Sequence, residues 1–588
     1  MGVFDYLVPG GMKVQIGDLI EVPFKNTTIM AIVRSVGAKQ TTDELRPLTR
    51  VITPEFFSVD GLVRLETIAR AIVQSPSSML YTAIYGVREQ SIDPKWNVGT
   101  QAETRPLHGK IWDDLRARIA KTDPFSIQLS FSQTCTLASW LRDEIDHQLL
   151  IIFPWEAQTR SCASRTRLGE NSITLHGKTP PRERAAIIEA WRTGECKTLV
   201  STRQGSLLPA KNIGAILIAD ATSSDHMNWD RNPRYDARLA AELLAREHQC
   251  PLIFAGNLPR TEDLARSRMI LATAEPTFQI VNLRAQEEKI GLPLITETLK
   301  TGICAALQEQ KSVLCSFNRK GFARRLQCGA CEKIPTCGTC GAVPVVRQKD
   351  IACPVCQTEM WRPKSCPSCG SPKVKLRGIG NARLASVMKK TFPGTRVAII
   401  DKEHPLIEPA DIYLVTEFFF HARYAESYQP SFGLVAELAA DLELTSGNDR
   451  AAELLAQKIY RLEHLAREHK APCLIQTWLP DLIESIKKPT KFLKNEWEQR
   501  KSYDLPPSTE RLVIDVRGGR PTDDERTLFQ KLKQLPGANV YESANRWDIH
   551  AQRTHQKQLT DLLNGLSDRY RIQPTLSTYE PPGSHTSK

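Results

Sequence analysis

Between residues 328 and 369 the chain carries eight of its fifteen cysteines as four CxxC pairs: Cys328/Cys331, Cys337/Cys340, Cys353/Cys356 and Cys366/Cys369. A CxxC turn presents two thiolates on one side of a tight knuckle, and two knuckles complete a tetrahedron around zinc. This segment is therefore expected to fold around two Zn2+ ions per chain rather than around an apolar core. A disulfide framework is one alternative, and a redox CxxC is another. The first is disfavoured because the chain opens without a basic secretory segment. The second is disfavoured because glycine follows Cys328, Cys340 and Cys369, as in zinc knuckles. No apolar run approaches the roughly 18 residues of a membrane span, so a soluble, cytoplasmic protein with no membrane partner is expected. The other seven cysteines, Cys135, Cys162, Cys196, Cys250, Cys304, Cys315 and Cys473, read as small core residues.

Four knuckles can form two sites in three ways. Only five residues separate Cys331 from Cys337, and nine separate Cys356 from Cys366. Nesting would join the outer pairs around a compact inner site, with Val343 to Asp350 as the hairpin between the inner knuckles.

The chain holds 78 Lys/Arg against 66 Asp/Glu, a net charge of +12. Such a surplus fits a polyanion partner, because each neutralised phosphate releases counterions. The cysteine block supplies little of it. From Arg324 to Arg377 ten basic residues face three acidic ones, and two zinc-tetrathiolate sites would reduce that +7 to +3. A structural or protein-docking role suits the block as well as phosphate binding does.

Strand-like stretches at 3–8, 18–24 and 28–36, punctuated by Gly and Pro, mark residues 1–92 as a small β-rich domain. The unpatterned run QSIDPKWNVGTQAETRPL at 90–107 places a linker at 93–107. From 108 to 480 short apolar strands such as LLIIF and GAILIAD alternate with amphipathic helices, the signature of parallel α/β architecture. That length predicts two lobes, 108–283 and 284–480, with the cysteine block inserted at 326–376. An α+β domain over 481–588 with a disordered tail completes a multidomain α/β chain.

In this layout FDYLVP at 4–9, EVPF at 21–24, SVLCSFNRKGFARRLQCGAC at 312–331, RGIGNARL at 377–384 and FPGTRVAIID at 392–401 follow one another. With CLIQTW at 473–478 and EQRKSYDLPPSTERL at 498–512, the series resembles the PriA family of bacterial primosomal replication-restart helicases. The resemblance implies two RecA-like lobes and nested zinc sites. Cys328, Cys331, Cys366 and Cys369 would bind one ion, and Cys337, Cys340, Cys353 and Cys356 the other. It also implies a pocket for the 3′ end of a nascent strand, carried over onto Phe4, Asp5 and Arg46. Lys25 departs from the family, which usually has glycine there, and no winged-helix domain stands in the 93–107 linker. Further DNA contacts are expected at Arg234 and Tyr235 in NPRYDAR, at Asn318, Arg319 and Lys320 in SFNRKGF, and at Arg383; each also suits a solvated charge or a lobe interface.

The motor motifs are missing. A P-loop needs glycines whose amides surround phosphates and a lysine that reaches them. The matching stretch IQLSFSQTCTLASWL at 127–141 has neither, and the only GKT, Gly177–Lys178–Thr179, follows Ser172 where a P-loop would need glycine. Where the family has Asp-Glu-x-His, this chain reads Asp220, Ala221, Thr222 and Ser223; Gly-Ser-Ala-Thr becomes Ala255, Gly256, Asn257 and Leu258. The arginine-finger segment, Gln457 to His464, keeps Arg461 but has neither glycine nor the final arginine. Phosphate clamping, water activation and charge stabilisation are lost together, which argues against ATP binding and hydrolysis. The expectation is a replication-restart protein that binds forked or single-stranded DNA and engages other primosome or replisome proteins without a motor. The competing readings are an ATP-dependent 3′-to-5′ helicase with an unrecognised nucleotide site, and a zinc-organised recruitment scaffold.

Overall fold

The computed structural model describes residues 3–575, apart from 38–44, 88–93, 98–108, 271–275, 285–293, 319–324, 337–344, 353–358, 517–521, 564–569 and several stretches of four residues or fewer. Two compact units result: Met1–Ala272 with Trp497–Tyr541 and Trp547–Lys588, and Thr273–Glu496 with Glu542–Arg546.

The first unit opens with an antiparallel sheet in which β1 (Leu19–Phe24) lies between β2 (Thr27–Ile32) and β3 (Arg50–Thr53). The stretch at 3–8 is not a full strand; it touches the chain through one parallel bridge, Leu7 to Pro47. Two helices follow, α1 (Val59–Ala71) and α2 (Pro76–Ile84). Ser58 caps α1 by accepting the Gly61 N–H at 2.9 Å, and proline starts α2, where its missing N–H costs nothing.

Next come α3 (Gly109–Ile119), β4 (Phe125–Gln128), α4 (Phe131–Glu144), β5 (Gln148–Ile152), α5 (Glu156–Arg165), β6 (Ser172–Leu175), α6 (Pro181–Thr193) and β7 (Thr198–Ser201). They continue with β8 (Ile213–Ala219), α7 (Ala237–Glu247), β9 (Leu252–Gly256), α8 (Thr261–Ala265) and β10 (Met269–Ile270). The strands form one parallel sheet in the order β10-β4-β9-β8-β5-β7-β6. β5 is apolar on both faces because it lies between β8 and β7 with helices above and below, so all five of its residues are buried.

The N-terminal helices share a core with this sheet. Phe56, Phe57, Leu62, Leu65, Ile68 and Met79 belong to the same buried cluster as Ile152, Trp191, Leu207 and Leu244. Within the seam the Arg64 guanidinium meets the Glu247 carboxylate at 2.5 Å and donates to the Ser206 and Leu208 carbonyls at 3.0 and 3.4 Å. Part of the linker is fixed as well. Trp96 packs on this cluster, and the Asn97 N–H donates to Ser172 O on edge strand β6 at 2.8 Å.

The second unit contains β11 (Gln279–Asn282), α9 (Glu297–Gln308) and β12 (Ser312–Ser316), then the cysteine insertion with β13 (Arg325–Cys328), β14 (Val345–Val346), β15 (Ile351–Ala352), β16 (Glu359–Met360) and β17 (Val374–Arg377). After it come α10 (Asn381–Thr391), β18 (Val397–Ile400), β19 (Ile412–Val415), α11 (Phe419–Ala422), β20 (Phe432–Glu437), α12 (Ala451–Glu468), β21 (Cys473–Thr477), α13 (Pro480–Ile486) and the start of α14 (Pro489–Ser502). A second parallel sheet runs β11-β21-β20-β12-β19-β18. It takes up Gln279–Asn282, ahead of the division expected at 284, because β11 pairs with β21. Two parallel sheets of this kind give the chain the RecA-like architecture expected of residues 108–480.

The C-terminal elements are β22 (Glu510–Val516), α15 (Asp523–Lys533), β23 (Ala538–Ser543), β24 (Arg546–Ala551), α16 (Gln556–Leu563) and β25 (Tyr570–Thr575), with sheet order β23-β24-β22-β25. Leu512, Ile514, Trp547 and Ile549 pack there with Phe529, Leu532, Leu559 and Leu563 of the two helices. The tail expected to be disordered lies beyond the described residues.

Candidate nucleic-acid interface and metal centre

Three residues expected at a DNA end come together on the N-terminal sheet. The Leu7 N–H donates to Arg46 O at 2.9 Å and the Leu48 N–H to Leu7 O at 3.0 Å, which lays the segment holding Phe4 and Asp5 beside Arg46. The Phe4 ring stands edge-on to Phe24, centroids 5.3 Å apart, yet stays 55% exposed. Arg46 Nη1 donates to Lys25 O at 3.1 Å, so the β1–β2 turn closes the group. The Phe4 ring and the Arg46 guanidinium thus both border the β1–β2 turn, and Asp5 follows Phe4 as an exposed residue. That exposure does not fit a core role for Phe4.

The second set of expected DNA contacts needs correction. Tyr235 is 2% exposed and Arg234 7%; the Tyr235 ring lies in the core shared with α1 and α7, and burial pushes its phenol up. The physical reason is local. Met227 bridges to Asp236, and the Asn228 N–H donates to Tyr235 O at 2.9 Å, which turns the segment inward before Asp236 caps α7. Asn318 is exposed, but its amide donates to Glu443 Oε1 at 3.0 Å. Arg383 is exposed on the first turn of α10. Arg319 and Lys320 lie outside the described residues.

Where a P-loop would stand, β4 passes to α4 through Leu129 and Ser130 alone. Ser130 and Gln133 form a reciprocal capping box at 3.3 and 3.0 Å, so side chains already take the N–H groups that would otherwise face phosphate. Leu129 is 1% exposed, with its N–H on Gly256 O at 2.8 Å. At the end of β8 Asp220 accepts from Gln158 at 3.3 Å, and the Ala221 N–H donates to Ala255 O at 2.8 Å. Gly177–Lys178–Thr179 is the turn between β6 and α6, clasped by Arg184 through His176 O at 2.9 Å. On α12 Arg461 pairs with Glu417 and lies 5.4 Å from the Phe420 ring centroid. Its neighbour Lys458 is buried between Glu437 and Glu443, 2.9 Å from each.

Behind β8, His226 is fully buried with Nε2 2.9 Å from Ala219 O. Burial, with Arg238 nearby, depresses its pKa from 6.5 to about 4. Between those values the unfolded chain holds a proton on this imidazole that the folded chain lacks. Stability should therefore fall as pH drops through that window, by on the order of 3 kcal/mol at pH 4. Denaturation midpoints measured against pH should show a shallower acid slope in His226→Gln; an unchanged slope counts against the assignment.

The outer cysteine pairs meet as the nested reading requires. β13 and β17 pair antiparallel with Cys328 opposite Val374, which brings the ends of the insertion together. The Sγ atoms of Cys328, Cys331, Cys366 and Cys369 all lie within 4.8 Å of one another, with Cys328–Cys369 at 3.5 Å and Cys331–Cys366 at 3.7 Å. A tetrahedron with metal–sulfur bonds near 2.3 Å has edges of about 3.8 Å, so the donor set fits one metal ion. Both knuckles are built by backbone amides. The N–H groups of Ala330 and Cys331 point at Cys328 Sγ, that of Ser368 points at Cys366 Sγ, and Gly370 closes the second turn at φ +70°. Those amides lower the thiol pKa of Cys328 to about 6 and lower that of Cys366, whereas at Cys369 an amide from Ser371 is outweighed by the neighbouring thiols, which raise it. β14 pairs antiparallel with β15, so the pairing reaches Ala352, past the Asp350 expected as the hairpin's end. Cys337, Cys340, Cys353 and Cys356 themselves lie outside the described residues.

Comparison with known proteins agrees with this layout. Residues 1–84 match the family model of the PriA 3′ DNA-binding domain. Residues 132–207, within the first parallel sheet, match the helicase conserved C-terminal domain. The replication restart protein PriA of Rickettsia conorii is 23% identical over 587 residues, 91% of this chain and 88% of that protein. The protein of the same name from Thermotoga maritima is 27% identical over 387 residues, 60% and 51% of the respective chains. Among solved structures, RecG bound to a three-way DNA junction covers 75% of this chain and 53% of its own at a TM-score of 0.34 and 11% identity, too distant to argue from. The chain thus resembles the PriA replication restart proteins over nine-tenths of its length, opening with the 3′ DNA-binding domain of that family.

Proposed function

We propose that this chain recognises the 3′ end of a DNA strand at a fork and supports replication restart without hydrolysing ATP. The observation that carries the reading is the placement of exposed Phe4 and Arg46 about the β1–β2 turn, with Asp5 next to Phe4 in the chain, within the residues that match a 3′ DNA-binding domain. An exposed ring suits stacking on a terminal base, a carboxylate suits a terminal hydroxyl, and a guanidinium suits phosphate. The motorless half rests on the two-residue β4–α4 connection with its capping box, on the missing lysine and glutamate, and on the engagement of Lys458 and Arg461 with carboxylates. Lys458 and Arg461 are held within their own unit, which leaves neither free to stabilise charge on a transferring phosphoryl group.

Cys328, Cys331, Cys366 and Cys369 would hold one Zn2+, and Cys337, Cys340, Cys353 and Cys356 a second; the role is structural, since four thiolates leave no open coordination position. Elemental analysis should return two zinc ions per chain.

Two measurements test the function. Binding to a fork with a free 3′-hydroxyl should exceed binding to the same fork with a blocked end, and Phe4→Ala should erase that difference. Equal affinity for both ends would favour a zinc-organised scaffold for protein recruitment. Purified protein should show no DNA-stimulated ATP turnover; sustained turnover would make it a helicase with a different nucleotide site.

A further inference from the structure

The turn between β1 and β2 has two residues, Lys25 and Asn26, with Phe24 paired to Thr27 across its base. Lys25 is held at φ 53°, a left-handed conformation that glycine adopts freely and a β-carbon disfavours. Tight hairpins with positive φ at the first central residue ordinarily place glycine there. A lysine at such a position strains the turn, and a retained strain points to a use for the side chain.

Its surroundings suggest the use. The side chain is exposed, with Nζ 5.9 Å from the centroid of the Phe24 ring, and Phe24 is the ring on which Phe4 rests. Arg46 Nη1 donates to the carbonyl of Lys25 itself, so a second cation is fixed against the same turn. Two basic side chains therefore flank an aromatic pair of exposed Phe4 on half-buried Phe24, and Asp5 is the one carboxylate on the segment that carries Phe4. A base stacked on Phe4 would bring its own phosphodiester within reach of such a pair, and a compact ammonium suits a single phosphate.

We propose that Lys25 is a phosphate-gripping residue of the end pocket, and that with Arg46 it clamps the phosphodiester beside the terminal nucleotide of a DNA strand. This deepens the end-recognition reading and rests on it. The strain supplies a clean variant, because Lys25→Gly removes the charge while relaxing the turn.

Fork binding should be followed by fluorescence anisotropy across a salt series for the full chain, Lys25→Gly and Lys25→Arg. Lys25→Gly should weaken binding on the order of fivefold and flatten the log–log salt dependence by about 0.7–0.9, one phosphate contact. Its thermal midpoint should equal or exceed that of the unaltered chain, and Lys25→Arg should restore affinity and slope. Unaltered affinity and slope in Lys25→Gly would overturn the proposal, as would a lowered midpoint large enough to account for the loss. Failure of end recognition itself would appear separately, as equal binding of free and blocked 3′ ends by the unaltered chain.

Discussion

Stripping the metal from the cysteine insertion should unfold residues 325–377 while the two parallel sheets stay folded. Among the described residues of the insertion the buried cluster is small: Cys328, Ile351, Cys366 and Val374, with Cys331 packed against it. Three of those five are the proposed ligands themselves. The conformational entropy of ordering some fifty residues is on the order of 1.5 kcal/mol each, far beyond what a few apolar side chains return at about 25 cal/mol per Å2. Structural zinc supplies roughly 10–16 kcal/mol of apparent binding energy, which is the scale needed. A chelator should therefore open protease sites between Arg325 and Arg377 with little change in far-ultraviolet circular dichroism. Cys328→Ser should do the same without chelator, whereas Cys315→Ala, a buried thiol on β12, should not. An unchanged cleavage pattern after complete metal removal would mean that the insertion is held by something else. Acid should weaken the metal, because the thiolates it needs are protonated as the pH falls.

Lys458→Ala should destabilise the second unit by about 3–5 kcal/mol, the cost of breaking a buried ion pair from one side. The lysine side chain is 5% exposed, and Glu437, 2.9 Å away, is 1% exposed. Glu443 takes a second bond from Lys458 and a third group, Asn318, donates to it. Burial pushes the Glu437 carboxyl up despite the ammonium beside it, whereas at Glu443 the ammonium outweighs burial and lowers the pKa. Glu437→Gln alone should accordingly cost less than the lysine change, since it replaces the group that burial already favours in neutral form. Combined with Lys458→Met it should recover part of the loss. Denaturant titration of the single and double variants checks this through their coupling energy. Additive losses would mean that the three charges do not act as one network.

The parallel sheets were legible because strands such as LLIIF and GAILIAD are apolar on both faces, a pattern only a covered parallel strand requires. The outer cysteine set was legible through the family resemblance, since CxxC spacing fixes each knuckle locally but leaves three pairings open. The absence of glycine and lysine at 127–141 was legible as residue types, and the capping box at the β4–α4 connection was not singled out. Tyr235 misled: an aromatic beside an arginine reads alike on a surface and in a core, and only the inward turn from Met227 to Asp236 decides. The strain at Lys25 is a backbone angle, which residue identity does not disclose. Nor does any local pattern tell that Arg64 will reach Glu247 across 183 residues.

That last contact changes what counts as a part. Residues 1–92 look detachable in sequence, with a linker behind them, but cutting there would leave Leu65, Ile68 and Met79 facing water along one side of the fragment. The N-terminal sheet keeps a small cluster of its own, Ile20, Val22, Val33 and Leu48, but α1 and α2 do not. Trp191 on α6 and Leu244 on α7 close the core beneath those two helices. A substitution on that buried face of α6 or α7 is therefore also a substitution beneath the N-terminal helices.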